Sequence, residues 1–343
     1  MYRHILVPTD GSNLSIETVA EAVRFASAIG AKVTFFTAQP DYGKTDNGAL
    51  DRVIAPDAYV EKAAGEARAY LAKAATEAHS AGVPYESIVR VSDRPHETIL
   101  DVAGDRGCDL IFMASHGRTG LRGLVLGSQT QKVLLHAKVP VLISTPERNR
   151  SDSRSREAVM TIRNEHLSIG AVVNGMQYLV KQYQTAQGTP DFKLLHAMLY
   201  YINTFPEKLH HPKEERYLFA KLKQRTHAVN DVLSQLESEH ARELELLTEL
   251  RASIVAYEAG DENGLAKFAS SVEAFAEFLW AHIGLEEKVI IPAAEKHLLN
   301  RDWYEIARAF SENGDPCFAA DSEASYKNLF SQIMNLAAQS KKA

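Results

Sequence analysis

A run of ten polar or charged residues, 147–156 (ERNRSDSRSR), divides this chain into two parts with different sequence patterns. Nothing in this run can contribute to a hydrophobic core, which is typical of a linker. The 343 residues exceed what one compact core usually serves, so two domains are expected. We therefore predict a first domain at 1–146, a second at 157–300 and a helical tail at 301–343.

Short β-rich runs alternate with helical stretches before the linker. The predicted strands are HILVP, KVTFFTA, ESIVRV, DLIFMAS and VPVLIST. Apolar residues at helical spacing lie between them. Strand–helix alternation with nearly continuous apolar strands is typical of a parallel sheet covered by helices on both faces. The first part is thus predicted to be an α/β doubly wound domain.

Only helical patterns follow the linker. Four long helices are predicted near 157–184, 190–224, 227–257 and 263–298, with short breaks at GTPD, RTHAVND and AGDENG. Four long helices with short connections favour an all-α up-and-down four-helix bundle. A DWYEIARAF segment and a last helix at 321–340 are expected to complete the chain.

Composition restricts the class of protein. No apolar run approaches the ~20 residues of a membrane span, and the N-terminus lacks the features of a signal peptide. Two distant cysteines, Cys108 and Cys317, form neither a disulfide framework nor a thiolate metal site. The net charge is −6, and no basic stripe indicates nucleic acid. A cytoplasmic protein with neither membrane nor nucleic-acid partners is expected.

The second part contains an internal repeat of histidine and glutamate. HHPKEERYLFA (210–220) and HIGLEEKVIIP (282–292) each place a histidine four residues before the first of two adjacent glutamates. Residues four apart lie on one helical face, so the imidazole and the carboxylate can point at the same metal ion. Single histidines on the first and third helices complete a two-fold pattern. The candidate ligands are His166, His210, Glu214, His240, His282 and Glu286.

A ferritin-like site is an alternative that the sequence argues against. Such a site requires Glu-x-x-His in both halves of the bundle. Glu237 has this spacing before His240, but Arg163 occupies the matching position before His166. Imidazole and carboxylate donors with an open coordination position instead suit iron that binds O₂ or a related small ligand.

The sequence leaves open which histidine–glutamate pair of the second helix supplies the ligands. His211 and Glu215 form an equally spaced pair one residue on, and prolines at 206 and 212 can perturb this helix. His210 and Glu214 are favoured as the ligands, because the sequence around them matches that around His282 and Glu286. His211 remains a candidate for an alternative ligand or a neighbour of the ligands.

Residues 157–300 resemble the hemerythrin-like, HHE cation-binding family. FPEKLHHPKEERYLF and FLWAHIGLEEKVIIPAAEKHL carry the likeness, together with the pattern H…HxxxE…H…HxxxE. The resemblance implies a non-haem di-iron centre, held by the six candidate ligands, that binds O₂, NO or peroxide. A di-iron enzyme that reduces NO or peroxide, or supplies iron for iron–sulfur repair, is the alternative. Beyond Glu215 and Glu287, which also fit solvated helix positions, the sequence indicates no acid close to the ligands.

A glycine-rich loop follows the fourth predicted strand, within DLIFMASHGRTGLRGLVLGSQTQKVL. Glycines let backbone N–H groups approach phosphate oxygens, and the N-terminus of a helix beginning at Ser128 favours anions. Ser128 and Gln131 also fit a capping box, in which the serine only starts the helix. The loop alone is therefore a weak indication of phosphate binding.

The first part resembles the universal stress protein family through ILVPTDGS, DLIFMASHGRTG and LVLGSQTQKVL. ATP-binding members carry G-x2-G-x9-G-[S/T], which this chain matches at Gly117, Gly127 and Ser128 and departs from at Ala114. Asp10 matches the acidic residue that contacts the nucleoside. The resemblance implies ATP or ADP binding and a homodimer through this domain. Together the two resemblances imply a stress-response sensor whose nucleotide and di-iron sites are coupled.

Overall fold

The structure is a computed structural model that describes residues 2–39, 56–115, 126–145, 153–185, 190–311 and Ile333. Gly117, residues 147–152 of the predicted linker and all of the predicted last helix except Ile333 lie outside these residues. The predicted end of the linker was wrong, because residues 153–156 begin a helix. Two compact units make up the chain, Met1–Arg148 and Asn149–Ala343. Within the described ranges, no helix combines the length and the hydropathy needed to cross a membrane.

A five-stranded parallel sheet forms the centre of the first unit. Its strands are β1 (His4–Pro8), β2 (Lys32–Gln39), β3 (Tyr85–Val91), β4 (Leu110–Ala114) and β5 (Val141–Ser144), in the spatial order 3-2-1-4-5. The described helices of this unit are α1 (Asn13–Ile29), α2 (Pro56–Ser80), α3 (Pro95–Asp105) and α4 (Ser128–His136). Every pair of neighbouring strands is parallel. The predicted α/β doubly wound fold is confirmed.

Alternate residues of the central strand β1 face two different cores. Ile5 and Val7 of β1 pack with apolar residues of α1 and α2, whereas Leu6 between them packs with residues of α3 and α4. All three side chains are fully buried. This period of two explains why the predicted strands are nearly continuous apolar runs, since both faces of the sheet are covered.

The turn between β1 and α1 requires a glycine. Ser12 caps α1 by accepting a hydrogen bond from the N–H of Ser15. Gly11, just before it, has a φ of 73°, and a Cβ there would lie 2.2 Å from a ring carbon of Tyr70. A side chain at this position would meet both backbone strain and a steric clash.

Four long helical runs and a shorter helix make up the described part of the second unit. α5 (Ser153–Gln184) and α7 (Asn230–Glu258) are regular α-helices. α6 begins with the α-helical segment Phe192–Phe205 and continues through the π-helical segment Pro206–His210. The α-helical residues His211–Lys213 follow, then a second π-helical segment, Glu214–Phe219, and the helix ends with Ala220–Arg225. α8 begins as Gly264–Leu285, passes through the π-helical segment Glu286–Ile290 and ends as Ile291–His297. The predicted all-α class of this part is confirmed.

The shorter helix, α9 (Asn300–Ser311), belongs to the same core. Its apolar face, which includes Trp303, Ile306 and Phe310, joins one hydrophobic cluster with residues of all four long helices. Asp302 accepts two hydrogen bonds from the guanidinium of Arg225 at the end of α6, at 2.7 and 2.8 Å. The segment expected to begin a tail is therefore packed against the long helices.

Candidate functional site

Five histidines and two glutamates meet inside the second unit. One histidine comes from α5, two come from α6, and α7 and α8 supply one each. All seven residues are at most 7% exposed. They form two clusters in which one donor atom from each residue lies within 4.8 Å of the others. The first cluster is His166, His210, Glu214 and Glu286, and the second is His211, His240 and His282.

Each glutamate faces both clusters. The two carboxylate oxygens of Glu286 lie 3.2 Å from Nε2 of His166 and 3.5 Å from Nε2 of His282. Those of Glu214 lie 3.7 Å from Nε2 of His166 and 4.0 Å from Nε2 of His240. A carboxylate that presents one oxygen to each of two donor groups is placed to bridge two metal ions. The six residues predicted from the repeat are thus all brought together.

The separations between donors suit a shared ion better than direct hydrogen bonds. Two donors that are each about 2.1 Å from one ion, at angles of about 90–110°, lie about 3.0–3.4 Å apart. Nε2 of His210 lies 3.0 Å from Nε2 of His166 and 3.4 Å from Glu214. Most of the carboxylate–imidazole separations exceed the 2.7–3.2 Å of an N–H···O hydrogen bond. The donor atoms therefore surround positions that a metal ion would fill.

Unpartnered buried atoms support the same conclusion. A buried charge without a hydrogen bond or an ion pair is strongly unfavourable, by several kcal/mol. Six donor atoms of the two clusters are buried and make no hydrogen bond: both carboxylate oxygens of Glu214, both of Glu286, and Nε2 of His240 and of His282. Metal ions would satisfy all six, so the residues present fit a dinuclear metal centre.

The outward nitrogens of four histidines contact carboxylates. Each Nδ1 lies within hydrogen-bonding distance of one glutamate, so the Nε2 lone pair is left to face the centre. The pairs are His166 with Glu287 at 3.1 Å, His210 with Glu165 at 2.7 Å, His240 with Glu215 at 2.6 Å and His282 with Glu239 at 2.9 Å. Carboxylates in this position orient a metal-ligating imidazole and raise its basicity.

These four glutamates extend the internal repeat. Glu165 and Glu239 directly precede the single histidines of α5 and α7, and Glu215 and Glu287 directly follow the two glutamates of the clusters. The repeated dipeptides Glu-His and Glu-Glu were thus a signal for them. The sequence already indicated Glu215 and Glu287 as acids close to the ligands, with Glu215 also a possible ligand. Glu165 and Glu239 were not predicted, because neither has the four-residue spacing from a histidine on its own helix.

Both His210 and His211 face the centre because α6 is π-helical around them. Adjacent residues of an α-helix point about 100° apart, so one of the two would be expected to face away. The N–H of His211 bonds instead to the carbonyl oxygen of Pro206, five residues earlier. Such a π turn changes which residues share a face, and Pro212, which has no N–H, cannot continue a regular hydrogen-bond ladder.

Of the two pairs considered for α6, His210 and Glu214 both lie in the first cluster, whereas only the histidine of the alternative pair lies in a cluster. His211 joins the second cluster, and its ring stacks on that of His240 with centroids 4.0 Å apart. Glu215, its proposed partner, lies outside the clusters and contacts Nδ1 of His240. The position matching His211 in the other half of the repeat is Ile283, so His211 breaks the two-fold pattern.

Burial and the nearby carboxylates shift the pKa values of histidines in the two clusters. Burial lowers the pKa of His210 to about 4 and that of His211 well below its usual value. Burial also disfavours the charged form of His166, but the nearby carboxylates of Glu214, Glu286 and Glu287 outweigh it and raise the pKa of His166 well above normal. A proton held at His166 would have to leave when a metal ion binds.

Aromatic side chains surround the clusters. Phe219 and Phe278 lie parallel to the rings of His240 and His282, at centroid distances of 6.1 and 6.0 Å. Phe310 of α9 meets the ring of His210 edge-on at 6.2 Å. These residues limit the access of water to the donor atoms.

The candidate phosphate site lies at the carboxyl edge of the parallel sheet. β1 and β4 are neighbours there, and chain connections leave them in opposite directions, which is where ligands bind in such sheets. Asp10 follows β1, and its Oδ1 accepts hydrogen bonds from the N–H and the hydroxyl of Ser12. Gly127, not Ser128, is the N-cap of α4, and no side chain caps that helix. Gly117 falls in the loop outside the described residues.

Comparisons with known families divide the chain in the same way. Residues 1–145 match the profile of the Universal stress protein family, and residues 184–294 match the Hemerythrin HHE cation binding domain. The second match includes every cluster residue except His166.

Three individual relatives correspond to the first part of the chain. A universal stress protein of Thermus aquaticus is 33% identical over 152 residues, which is 42% of this chain and 98% of the relative. The protein YxiE of Bacillus subtilis is 29% identical over 147 residues, 42% of this chain and 99% of the relative. The solved structure of the hypothetical protein MJ0577, of Methanocaldococcus jannaschii, covers 43% of this chain and 99% of its own at 26% identity, with a TM-score of 0.36.

Proposed function

Because the chain belongs to the universal stress protein family and carries a hemerythrin HHE cation-binding domain, we propose that it is a stress-response sensor with a dinuclear iron centre. The observation that carries this proposal is the pair of buried carboxylates, Glu214 and Glu286. Each turns one oxygen to each of two histidine clusters, and none of the four oxygens makes a hydrogen bond.

The donor set favours iron and an open position. His166 and His210 with the two carboxylates offer four donors to one ion, whereas His211, His240 and His282 with the same carboxylates offer five to the other. Imidazole and carboxylate donors suit iron, zinc or manganese, and a position left open is typical of iron sites that handle O₂. When bound, two iron ions would supply redox chemistry and a binding position for O₂, NO or peroxide.

The residues around the donor atoms orient the imidazole rings and restrict the access of water. Glu165, Glu215, Glu239 and Glu287 hold the imidazole rings in one orientation. Phe219 and Phe278 restrict water beside the second cluster. Restricted water strengthens electrostatic interactions inside a site and protects reactive ligands.

Spectroscopy of the reduced, iron-loaded protein tests sensing against the enzyme alternative. A sensor is expected to develop a visible charge-transfer absorption with O₂ or NO that disappears when the gas is removed. An enzyme that reduces NO or peroxide would instead consume many equivalents per chain when the substrate and a reductant are in excess. Absence of any spectral response to all three ligands would contradict both forms of the proposal.

The first domain is proposed to bind ATP or ADP at the carboxyl edge of its sheet. The uncapped N-terminus of α4 at Gly127 and Ser128 would receive the phosphates, with Gly117 of the preceding loop, and Asp10 would contact the ribose. Calorimetric titration of the full chain with ATP and ADP tests this. Loss of binding in Asp10→Ala is expected, and equal affinity in wild type and variant would contradict the assignment.

We also propose a homodimer through this domain, supported by the same family membership. β5 pairs only with β4 among the described strands, so its other edge is available to a second copy. Leu135 on the neighbouring helix α4 is 77% exposed. Light scattering at micromolar concentration is expected to give twice the mass of one chain, and a Val141→Pro variant is expected to give the mass of one.

A further inference from the structure

A third group of metal-ligating side chains lies beside the second cluster. Glu207 and His211 of α6 and Glu243 of α7 each place one donor atom within 4.8 Å of the others. Nδ1 of His211 is 3.5 Å from Glu207, and its Nε2 is 3.6 Å from Glu243. Both separations are too long for hydrogen bonds. They start from different nitrogens of the ring, and a single ion would use one of these nitrogens together with the two carboxylates.

Glu243 is the part of this group that most requires a partner. Its side chain is fully buried, and neither carboxylate oxygen makes a hydrogen bond. One oxygen of Glu207 is also buried without a partner. A cation between Glu207 and Glu243 would remove this unfavourable burial.

The group also connects the surface with the centre. The side chain of Glu207 is 25% exposed, whereas those of His211 and Glu243 are 7% and 0% exposed. His211 stacks on His240 and meets the ring of His282 at 5.9 Å. Since every ligand of the proposed centre is buried, an incoming ion needs a route, and carboxylates along a route attract cations.

We propose that Glu207, His211 and Glu243 form a third divalent-cation site, through which metal ions pass into the dinuclear centre. The proposal rests on the dinuclear centre described above, because His211 belongs to both sites. The ion held there first is transferred when His211 binds it together with His240 and His282. The site takes Fe²⁺ or another divalent cation that accepts oxygen and imidazole ligands.

Uptake of Co²⁺ by the metal-free full-length protein tests this site. The rate of appearance of Co²⁺ absorption bands is expected to saturate with Co²⁺ concentration in wild type, because binding at the third site precedes transfer. Glu243→Gln and the partly exposed Glu207→Gln are each expected to slow uptake at least tenfold. Both variants are expected to hold two Co²⁺ per chain at equilibrium. Glu249→Gln, an exposed position of α7, serves as the matched control and keeps the wild-type rate.

Three outcomes would overturn the assignment. Unchanged rates in both variants would show that ions enter elsewhere. Fewer than two Co²⁺ per chain at equilibrium in Glu243→Gln would make Glu243 a ligand of the centre itself. Slowing by Glu249→Gln to the same extent would indicate a general effect of surface charge. A wild-type protein that holds fewer than two Co²⁺ would instead contradict the dinuclear centre, and this is seen before any rates are compared.

Discussion

Glu165 of α5 and His210 of α6 are joined by a buried contact, in which Oε2 of the glutamate lies 2.7 Å from Nδ1 of the histidine. Both residues are at most 1% exposed. The contact fixes which nitrogen of His210 faces the first cluster. Because three other histidines have the same kind of partner, carboxylates orient four of the five imidazoles of the centre.

Removal of this carboxylate should weaken metal binding without removing a ligand. Glu165→Ala is expected to lower affinity for Fe²⁺ or Co²⁺ by about 10–100-fold, the usual effect of losing such a partner. Glu215→Ala should have a smaller effect, because the Glu215 side chain is 45% exposed and water can replace it. Competition with a chelator measures both affinities. Equal losses in the two variants would argue against orientation by a buried partner.

His211 should be required for full metal content although it breaks the repeat. His211→Ala is expected to reduce the content from two ions per chain to about one, since the second cluster keeps only two imidazoles. His196→Ala is the matched control, because His196 lies on the surface of the same helix and pairs with Glu258. Elemental analysis of purified proteins measures the content. Two ions in His211→Ala would restrict the centre to the six residues of the repeat.

The sequence predicts the helices and strands and six residues of the clusters, but it does not predict the order of the strands. The alternating elements of the first part, and the long helices of the second, follow from apolar periodicity and could be located directly. The order of the strands could not, because it depends on contacts between distant segments. The six repeat residues were found because the two halves of the bundle repeat the same spacing.

The residues that the sequence did not predict depend on a change of helix type and on contacts between helices. A period of 3.6 residues applies to an α-helix, and the π turn ending at His210 places His211 on the same side. Glu165 and Glu239 act across helices, and no single-helix pattern reveals their partners. Glu243 has no counterpart in the repeat, and only its burial identifies it.

Asp302 should stabilise the second unit in a pH-dependent manner. Arg225 holds the pKa of Asp302 below its usual value of 3.8. The folded state thus binds the proton less readily than the unfolded state, and the stabilisation is complete above pH 3.8 and is lost as the pH falls through the lower folded value. Asp302→Asn is expected to lower the free energy of unfolding at pH 7 and to have little effect in strong acid.

Denaturant unfolding of the metal-free protein at pH 7 and in strong acid measures this difference. Asp231→Asn, at an exposed position of α7, controls for the loss of a charge. A deficit in Asp302→Asn that is the same at both pH values would show that its contribution is not ionic.

Gly11 should tolerate substitution less well than another glycine with the same backbone conformation. Gly82 has a φ of 65° and open space around its Cα, whereas a Cβ at Gly11 would collide with Tyr70. Gly82→Ala is expected to destabilise the first unit by about 1 kcal/mol through backbone strain alone. Gly11→Ala should cost about 1–3 kcal/mol more, as overpacking does. Equal destabilisation by the two variants, measured by denaturant unfolding, would show that the ring of Tyr70 moves away freely.

The most direct test of the dinuclear centre is a count of iron per chain. Metal-free protein would be reconstituted with Fe²⁺ under anaerobic conditions, freed of excess metal and analysed for iron and protein. Two iron ions per wild-type chain are expected, and at most one in Glu286→Gln, because this carboxylate faces both clusters. One iron or none in the wild type, or two in Glu286→Gln, would contradict a centre bridged by Glu214 and Glu286.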